Sequence, residues 1–208
     1  MSDAQDFPQI YLISPSEIDL ETFPQQLAAC LDATEVACVR LALGTKDESR
    51  IAKAADALRD VTHARDVALV IDSHVMMVER LGLDGVHLTD GARTIKKVRK
   101  TLGKEAIIGS YCGNSRHDGM TAGELSADYI SFGPVGETPL GDGRRAEAEL
   151  FQWWSEMIEV PVVAEGALTI EHVRLLSPVT DFFGLGDELW QDAAPHQALL
   201  RFIDAMRG

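Results

Sequence analysis

The sequence predicts a single α/β domain folded as a closed (β/α)8 barrel, a TIM barrel. Short apolar runs alternate eight times with longer amphipathic stretches, and no linker interrupts the alternation. The length of 208 residues is near the lower limit for eight such units. An open doubly wound sheet is the rival fold, but its usual Gly-x-Gly-x-x-Gly motif is replaced by Ser14-Pro15-Ser16-Glu17 after the first strand.

Each strand is predicted from a short apolar run, and each helix from apolar residues spaced three and four apart. The predicted strands span Ile10–Ser14, Val36–Ala42, Ala68–Asp72, Gly85–Leu88, Ala106–Gly109, Tyr129–Gly133, Val162–Ala164 and Phe182–Leu185. The predicted helices span about 22–32, 48–63, 74–82, 93–102, 117–125, 147–158, 169–177 and 192–206. Residues 1–9 are predicted to form a tail, and residues 10–208 the barrel.

Composition excludes several classes of function. The formal charge of −14 disfavours nucleic-acid binding, which requires clustered Lys and Arg. No stretch approaches the roughly 20 apolar residues of a membrane span, and the first residues do not resemble a signal peptide. We therefore expect a cytoplasmic protein with no membrane partner. Cys30, Cys38 and Cys112 have no metal-type spacing, which favours reduced thiols.

The sixth predicted strand leads into a loop suited to ligand contact. Tyr129 to Phe132 form the strand, and Gly133-Pro134 ends it. Beyond that point, Gly136 and Thr138 are predicted to offer accessible backbone N–H groups and a hydroxyl. Barrel enzymes keep their chemistry at such carboxyl ends of strands.

The second strand carries an arginine that is predicted to point into the barrel. The period of two places Cys38, Arg40 and Ala42 on one side, opposite Val39 and Leu41. An inward Arg40 suits a phosphate or a carboxylate of a ligand. The alternative is an internal ion pair with Asp72 or with a helix carboxylate, and the sequence leaves both open.

The third and fourth strands end in acidic residues and histidines. Asp72 and His74 lie at the end of one strand, and His87 and Asp90 lie at the end of the next, so these four side chains are candidates for a metal or acid-base site. Neither pair has a known metal-ligand spacing. The competing interpretation makes Asp72 or Ser73 a helix cap and His87 a hydrogen-bonded interior histidine.

The seventh and eighth strands end in glycine-bearing turns that lead into helices. Barrels often bind phosphate there, because backbone N–H groups and a helix N-terminus face the anion. Gly166, Gly184 and Gly186, together with Thr138, are the candidate phosphate-binding residues. The acidic residues in these turns would repel an anion unless their side chains turn away. They are Glu165, Asp187 and Glu188. Alternatively, the glycines serve only tight turns.

Several segments, in this order and at these distances, resemble the thiamine phosphate synthase family, which also contains a thiazole tautomerase branch. They are Ile10-Tyr11-Leu12-Ile13, Asp84-Gly85-Val86-His87-Leu88, Ile107-Ile108-Gly109, Ala127-Asp128-Tyr129-Ile130, Phe132-Gly133-Pro134 with Thr138, and Val160-Pro161-Val162-Val163-Ala164. The resemblance implies a (β/α)8 barrel that joins a pyrimidine diphosphate to a thiazole phosphate, with Mg²⁺ holding the departing pyrophosphate.

The resemblance is incomplete at the positions that would bind pyrophosphate and metal. Of the family's Gln-x-Arg-x-Lys pattern only Arg40 is kept, and the Asn-Asp pair after strand three corresponds to Asp72 and Ser73. Other family positions are also replaced. The family's glutamine, second metal-binding aspartate, serine, lysine and tautomerase histidine fall at or near Asp90, Ala92, Tyr111, Gly141 and Pro134, and its paired glycines become Gly166-Ala167 behind Glu165. The Mg²⁺ ligand positions are thus not retained.

Three functional hypotheses follow. The first is a thiamine-pathway protein that binds a thiazole phosphate or similar phosphorylated small molecule, with synthase activity weak or lost. The second is a diverged enzyme that uses the Asp72, His74, His87 and Asp90 cluster. The third is a noncatalytic scaffold or regulator that uses an exposed Trp153-Trp154 pair, although these tryptophans also suit packing of the sixth helix on the barrel. Association into a homo-oligomer is left open.

Overall fold

The protein folds as the predicted barrel. The computed structural model describes residues 7–208. Eight parallel strands close into a barrel, in which each strand pairs with the next and the last pairs with the first. The strands are β1 Gln9–Ile13, β2 Cys38–Leu41, β3 Ala68–Asp72, β4 Gly85–Leu88, β5 Ile107–Tyr111, β6 Tyr129–Phe132, β7 Val162–Glu165 and β8 Phe182–Leu185. The predicted tail 1–9 lies mostly outside the described residues, and Gln9 already belongs to β1.

Helices cover the outside of the barrel. They are α1 Phe23–Ala33, α2 Glu48–His63, α3 Val75–Leu81, α4 Ile95–Leu102, α5 Arg116–Glu124, α6 Ala148–Met157, α7 Ile170–Leu176, α8 Asp187–Trp190 and α9 Pro195–Arg207. The short helix α8 was not predicted. The helix α9 begins at Pro195, later than the predicted residue 192, because the Asp192 carboxylate accepts a hydrogen bond from the Ala194 N–H and forms a turn there.

An aspartate precedes each of three alternate strands and connects it to the strand before. The backbone N–H of the aspartate donates to a carbonyl of that preceding strand. Its carboxylate accepts a hydrogen bond from the backbone N–H of the same residue. The pairs are Asp84 with Leu69, Asp128 with Ile108, and Asp181 with Val162. These bonds lie at the N-terminal face of the barrel, where such residues stabilise the fold. The Asp-Gly-Val-His and Ala-Asp-Tyr-Ile motifs are therefore partly structural.

The strands alternate between two environments. Outward residues such as Leu12, Val39 and Ile71 pack against the helices in the main core. Inward residues form a smaller apolar cluster that includes Tyr11, and polar side chains continue it toward the carboxyl ends of the strands. Gly109 makes room for this interior layer, because a Cβ there would lie 2.0 Å from the ring of Tyr129.

Among the described residues, no helix combines the length and the apolar character that crossing a membrane requires.

Candidate functional site

Arg40 points into the barrel, as the period of two predicts, but its charge is already paired. The side chain is buried at 6% exposure. Its Nη2 lies 2.7 Å from Glu165 Oε2, its Nη1 lies 3.3 Å from Glu165 Oε1, and its Nε lies 3.3 Å from Asp72 Oδ1. Burial lowers the pKa of Arg40, but the two carboxylates outweigh it and hold that pKa well above its usual range. The internal ion pair is therefore the correct interpretation, with Asp72 and a strand carboxylate as partners.

Glu165 turns away from its loop and into the barrel. The residue is 1% exposed, and besides Arg40 it accepts a hydrogen bond from Ser131 Oγ at 2.5 Å. The small neighbour Gly184 on β8 leaves room for this side chain, since a Cβ there would lie 3.1 Å from the Glu165 Cβ. Glu165 therefore pairs with the Arg40 charge inside the barrel.

His87 is a hydrogen-bonded interior histidine and not part of an accessible acid-base pair. It is 1% exposed, and its Nε2 lies 2.9 Å from Arg40 Nη1. Because a guanidinium cannot accept a hydrogen bond, Nε2 is the acceptor and Nδ1 carries the proton. Nδ1 donates to Tyr129 Oη at 3.0 Å, and that phenol contacts Tyr11 Oη at 2.6 Å. Burial and Arg40 hold the pKa of His87 well below its usual range, so the ring is neutral.

Asp72 is the member of this network that reaches solvent. Its side chain is 25% exposed, although Oδ1 is buried and has no partner in hydrogen-bond geometry within the described part of the chain. Burial raises the pKa of Asp72 to about 6, against the opposing effect of Arg40. Neither Asp72 nor Ser73 caps α3 with its side chain, because His74 occupies the N-cap position.

The predicted metal cluster of the second hypothesis is not assembled. Asp72 faces Arg40, and His74 directs Nδ1 to the Asp72 backbone carbonyl at 2.7 Å. Asp90 lies on an exposed loop, where it accepts a hydrogen bond from Thr94 Oγ1. Within residues 7–208, no three His, Cys, Asp or Glu side chains are grouped as a metal site would require. The cluster prediction was wrong, because the buried His87 is engaged by Arg40.

The residues present also do not fit the Mg²⁺ that the family resemblance implies. Mg²⁺ prefers near-octahedral coordination by oxygen ligands. The Asp72 carboxylate is in an ion pair, and the Ser73 hydroxyl is hydrogen-bonded to Thr89 Oγ1 at 2.9 Å. We therefore derive no chemical step through a bound metal.

The candidate glycines of the seventh and eighth strands mainly serve packing. Gly184 is buried inside the barrel, where a Cβ would also meet Val163 at 3.0 Å. Gly166 has a φ of +93°, and a Cβ there would lie 2.8 Å from the Pro134 Cα. These close approaches explain why both positions require glycine, and ligand contact by Gly166 and Gly184 stays a prediction. Gly186, the N-cap residue of α8, is only half-buried.

The acidic side chains of these turns have different positions. Asp187 is exposed, whereas Glu188 is mostly buried. Burial raises the pKa of Glu188, against the opposing effect of the nearby backbone N–H groups of Glu188, Gly186 and Leu168, and its Oε1 has no hydrogen-bond partner among the described residues. Glu188 thus lies against N–H groups of both loops, at the place where barrels commonly bind phosphate.

The loop after β6 is joined to the end of β7 and does not offer free backbone N–H groups. The Val135 N–H donates to the Glu165 carbonyl at 3.0 Å, and the Gly136 N–H donates to the Gly166 carbonyl at 2.8 Å. The expectation that Gly136 is accessible was wrong, because these bonds continue the pairing of the two strands. Thr138 is half-buried further along the loop.

The Trp153-Trp154 pair is not an exposed binding surface. Trp154 is buried at 1% exposure, and its Nε1 donates to the Val160 carbonyl at 2.8 Å. Trp153 is half-buried beneath the Arg116 guanidinium, whose carbon lies 4.7 Å from the ring centroid. The pair packs α6 on the barrel, which removes the main support for the scaffold hypothesis.

A cleft of about 710 Å³ borders the mouth over the loops after β4, β5 and β6. It contains the exposed residues Asp90, Arg93 and Arg144. Arg144 pairs with Asp142 at 2.6 Å, so this cation is partly compensated. A larger cleft, about 820 Å³, lies around Phe7 and Asp181 at the opposite face, away from the strand ends that carry the network.

Comparison with known proteins agrees with the resemblance seen in the sequence. A sequence model of the thiamine monophosphate synthase family matches residues 10–179. The chain is 38% identical to the thiamine-phosphate synthase of Rhodospirillum centenum, over 96% of this chain and 98% of that protein. It is 35% identical to the same enzyme of Erythrobacter litoralis, over 91% and 92%. The structure of thiamine phosphate pyrophosphorylase from Pyrococcus furiosus shares the fold, with a TM-score of 0.82 at 19% identity over 96% of this chain and 95% of that one.

Proposed function

Because the chain belongs to the thiamine monophosphate synthase family, we propose that it binds a thiazole phosphate or a similar phosphorylated small molecule at the barrel mouth. We further propose that its synthase activity is weak or lost. Family membership supports the ligand class, and the geometry of the mouth supports the low activity.

The observation that carries this proposal is the pairing of Arg40 with Glu165. A departing pyrophosphate needs positive charge that is available in the transition state. Among residues 7–208, Arg40 is the buried cation of this interior network, and its Nη2 lies 2.7 Å from Glu165 Oε2. Removal of a single such contributor typically costs about 10²–10³ in rate. Because Glu165 already pairs with the Arg40 charge, we expect displacement of pyrophosphate to be slow.

Phosphate binding is proposed at the loops after β7 and β8. The Glu188 carboxylate lies near the backbone N–H groups of Gly186 and Leu168, and its buried Oε1 has no hydrogen-bond partner among the described residues. A phosphate monoester presents the same kind of charged oxygen, so these groups suit it once Glu188 moves aside. Thr138 lies on the adjacent loop and is the proposed hydroxyl contact.

The second candidate is an ordinary thiamine-phosphate synthase. The names of relatives that are 38% and 35% identical over nearly the whole chain favour it. In that case Arg40 would have to leave Glu165 when substrate binds, and rapid turnover would be observed.

Two measurements test the proposal. Thiamine phosphate formation from the two phosphorylated precursors with Mg²⁺ reports activity, and the melting temperature with thiazole phosphate reports binding. We expect a rise in melting temperature that the substitution Gly186→Asp abolishes, since it adds a carboxylate beside the loop N–H groups. Gly44→Asp is the matched control, because this glycine lies in the loop after β2 and its Cβ would meet only Ser16, at 3.5 Å and beyond. No rise at millimolar ligand in the unaltered protein would contradict phosphate binding.

A further inference from the structure

We infer that residues 137–145, which follow β6, form a lid over the barrel mouth, and that Tyr111 on β5 holds this lid closed. Control of entry to the mouth is a property beyond the proposed function. Only the binding measurement described last rests on that function.

The lid is fixed at both ends. At its start, the Gly136 N–H donates to the Gly166 carbonyl at 2.8 Å. At its end, the Ala146 N–H donates to the Pro134 carbonyl, also at 2.8 Å. Gly136 and Ala146 are buried, whereas the residues between them are exposed or half-buried. Two fixed ends with an exposed stretch between them are typical of a loop that opens as a unit.

Between these ends, the backbone of the lid has little support from the rest of the barrel. Within residues 7–208, no backbone N–H of the lid donates to a group outside the lid. Its own bonds are local, from the Gly143 N–H to the Leu140 carbonyl at 3.1 Å and from the Arg144 N–H to the Asp142 carboxylate at 3.0 Å. Exposed backbone with few bonds opens at a low cost in free energy.

The tip of the lid packs across the ends of the strands on either side of β6. Leu140 lies over the end of β7, where its Cδ2 would be 3.1 Å from a Cβ on Gly166. Gly141 lies against Tyr111, the last residue of β5. The lid therefore extends over the mouth from β7 to β5.

Tyr111 is a firm support for this tip. Its hydroxyl donates to the Gly133 carbonyl at 2.7 Å, which fixes the orientation of the ring. A Cβ on Gly141 would lie 2.5 Å from that hydroxyl oxygen, so any other residue there would push the tip away from the ring. The other contact, from the Asn114 amide to the Arg145 carbonyl, is long at 3.5 Å and contributes little.

A surface loop with no role in entry makes a different prediction. Loosening it would speed its cleavage by a protease, but it would leave the rate of ligand entry unchanged. The two rates are therefore measured on the same variants.

The first measurement is trypsin cleavage of the native protein after Arg144 or Arg145, followed by mass spectrometry. The variants are Tyr111→Ala, which removes the support, and Gly141→Ala, which adds the obstructing Cβ. Gly143→Ala is the matched control. Its φ of +76° resembles the +63° of Gly141, but its Cβ would meet only the Thr138 carbonyl oxygen, at 3.9 Å.

We expect Tyr111→Ala and Gly141→Ala to be cleaved about tenfold faster than Gly143→Ala, because cleavage follows the population of the open lid. Adding Tyr111→Phe to Gly141→Ala should remove most of that increase. The closest contact of the new Cβ is with the hydroxyl oxygen, whereas the ring carbons lie 3.2 Å away or more.

The second measurement is the association rate constant of thiazole phosphate, from stopped-flow tryptophan fluorescence. If the lid must open before a ligand enters, Tyr111→Ala and Gly141→Ala should raise this constant about tenfold relative to Gly143→Ala.

Equal cleavage of Gly141→Ala and Gly143→Ala would overturn the role of Tyr111, and so would failure of Tyr111→Phe to restore slow cleavage. Faster cleavage with an unchanged association rate would overturn control of entry. If thiazole phosphate binds to no variant, the proposed function is refuted, and the cleavage rates still decide whether Tyr111 holds the lid. If Tyr111→Ala does not fold, Gly141→Ala and its restoration by Tyr111→Phe decide.

Discussion

The substitution Glu165→Gln should destabilise the protein by about 3 kcal/mol, because it leaves a buried guanidinium short of one charge partner. Two contacts to Arg40, at 2.7 and 3.3 Å, and the Ser131 bond at 2.5 Å meet at this carboxylate. A glutamine can replace only one of its oxygens as an acceptor. Asp72 remains 3.3 Å from Arg40 Nε, so the loss should fall at the lower end of the roughly 3–5 kcal/mol measured when buried pairs are broken.

Urea denaturation followed by tryptophan fluorescence would measure this loss, and for a chain of 208 residues the melting temperature should fall by about 6–12 °C. A double-mutant cycle with Arg40→Met isolates the pairwise contribution, and we expect a coupling energy of about 2 kcal/mol or more. A loss below about 1 kcal/mol, or additive effects in the cycle, would refute the argument that Glu165 neutralises Arg40 in the interior.

Three other predictions concern the mouth and the opposite face. The pKa of Asp72 is raised from 3.8 to about 6, so its contribution to stability is present below about pH 4 and is lost as the pH rises through about 6. The free energy of unfolding of the unaltered protein should therefore fall by roughly 3 kcal/mol between those pH values, and Asp72→Asn should remove this fall. The same pH dependence of urea denaturation in both proteins would contradict the prediction. Asp128→Ala should lower the free energy of unfolding by about 2 kcal/mol in urea denaturation, because the Asp128 carboxylate accepts a hydrogen bond from the Ile108 N–H at 2.7 Å. A loss no greater than that of the exposed-site control Asp187→Ala would contradict this. Glu188→Gln should increase sulfate affinity about tenfold in calorimetry, since the loop N–H groups no longer face a carboxylate, and unchanged affinity would contradict that assignment.

Periodicity predicted the architecture well, because each element is long enough to show its own pattern. The strands β3, β4 and β8 and the helix α2 have the predicted bounds, and their ends coincide with changes from apolar to polar residues. The helix α8 escaped prediction, since four residues are too few to show a helical period. Strands and helices were therefore predictable where they were long enough to show an apolar period of their own.

The site was predicted less completely, because its contacts depend on closure of the barrel. The period of two placed Arg40 inside, but its partner Glu165 lies 125 residues away in the chain. The same period also points Glu165 inward beside Val163, and it places His87 between the outward residues Val86 and Leu88. Applying that signal to every strand would have identified the interior network. The turn of Glu188 toward the loop N–H groups has no comparable signal in the sequence.

The rate of thiamine phosphate formation tests the central claim most directly. The two phosphorylated precursors and Mg²⁺ would be supplied to this protein and, in parallel, to the Rhodospirillum centenum thiamine-phosphate synthase, which is 38% identical to it. The compensated Arg40 predicts a rate lower by about 10²-fold or more, together with retained binding of thiazole phosphate. Equal rates for the two proteins would contradict the claim, because they would show that the pairing with Glu165 does not limit the reaction.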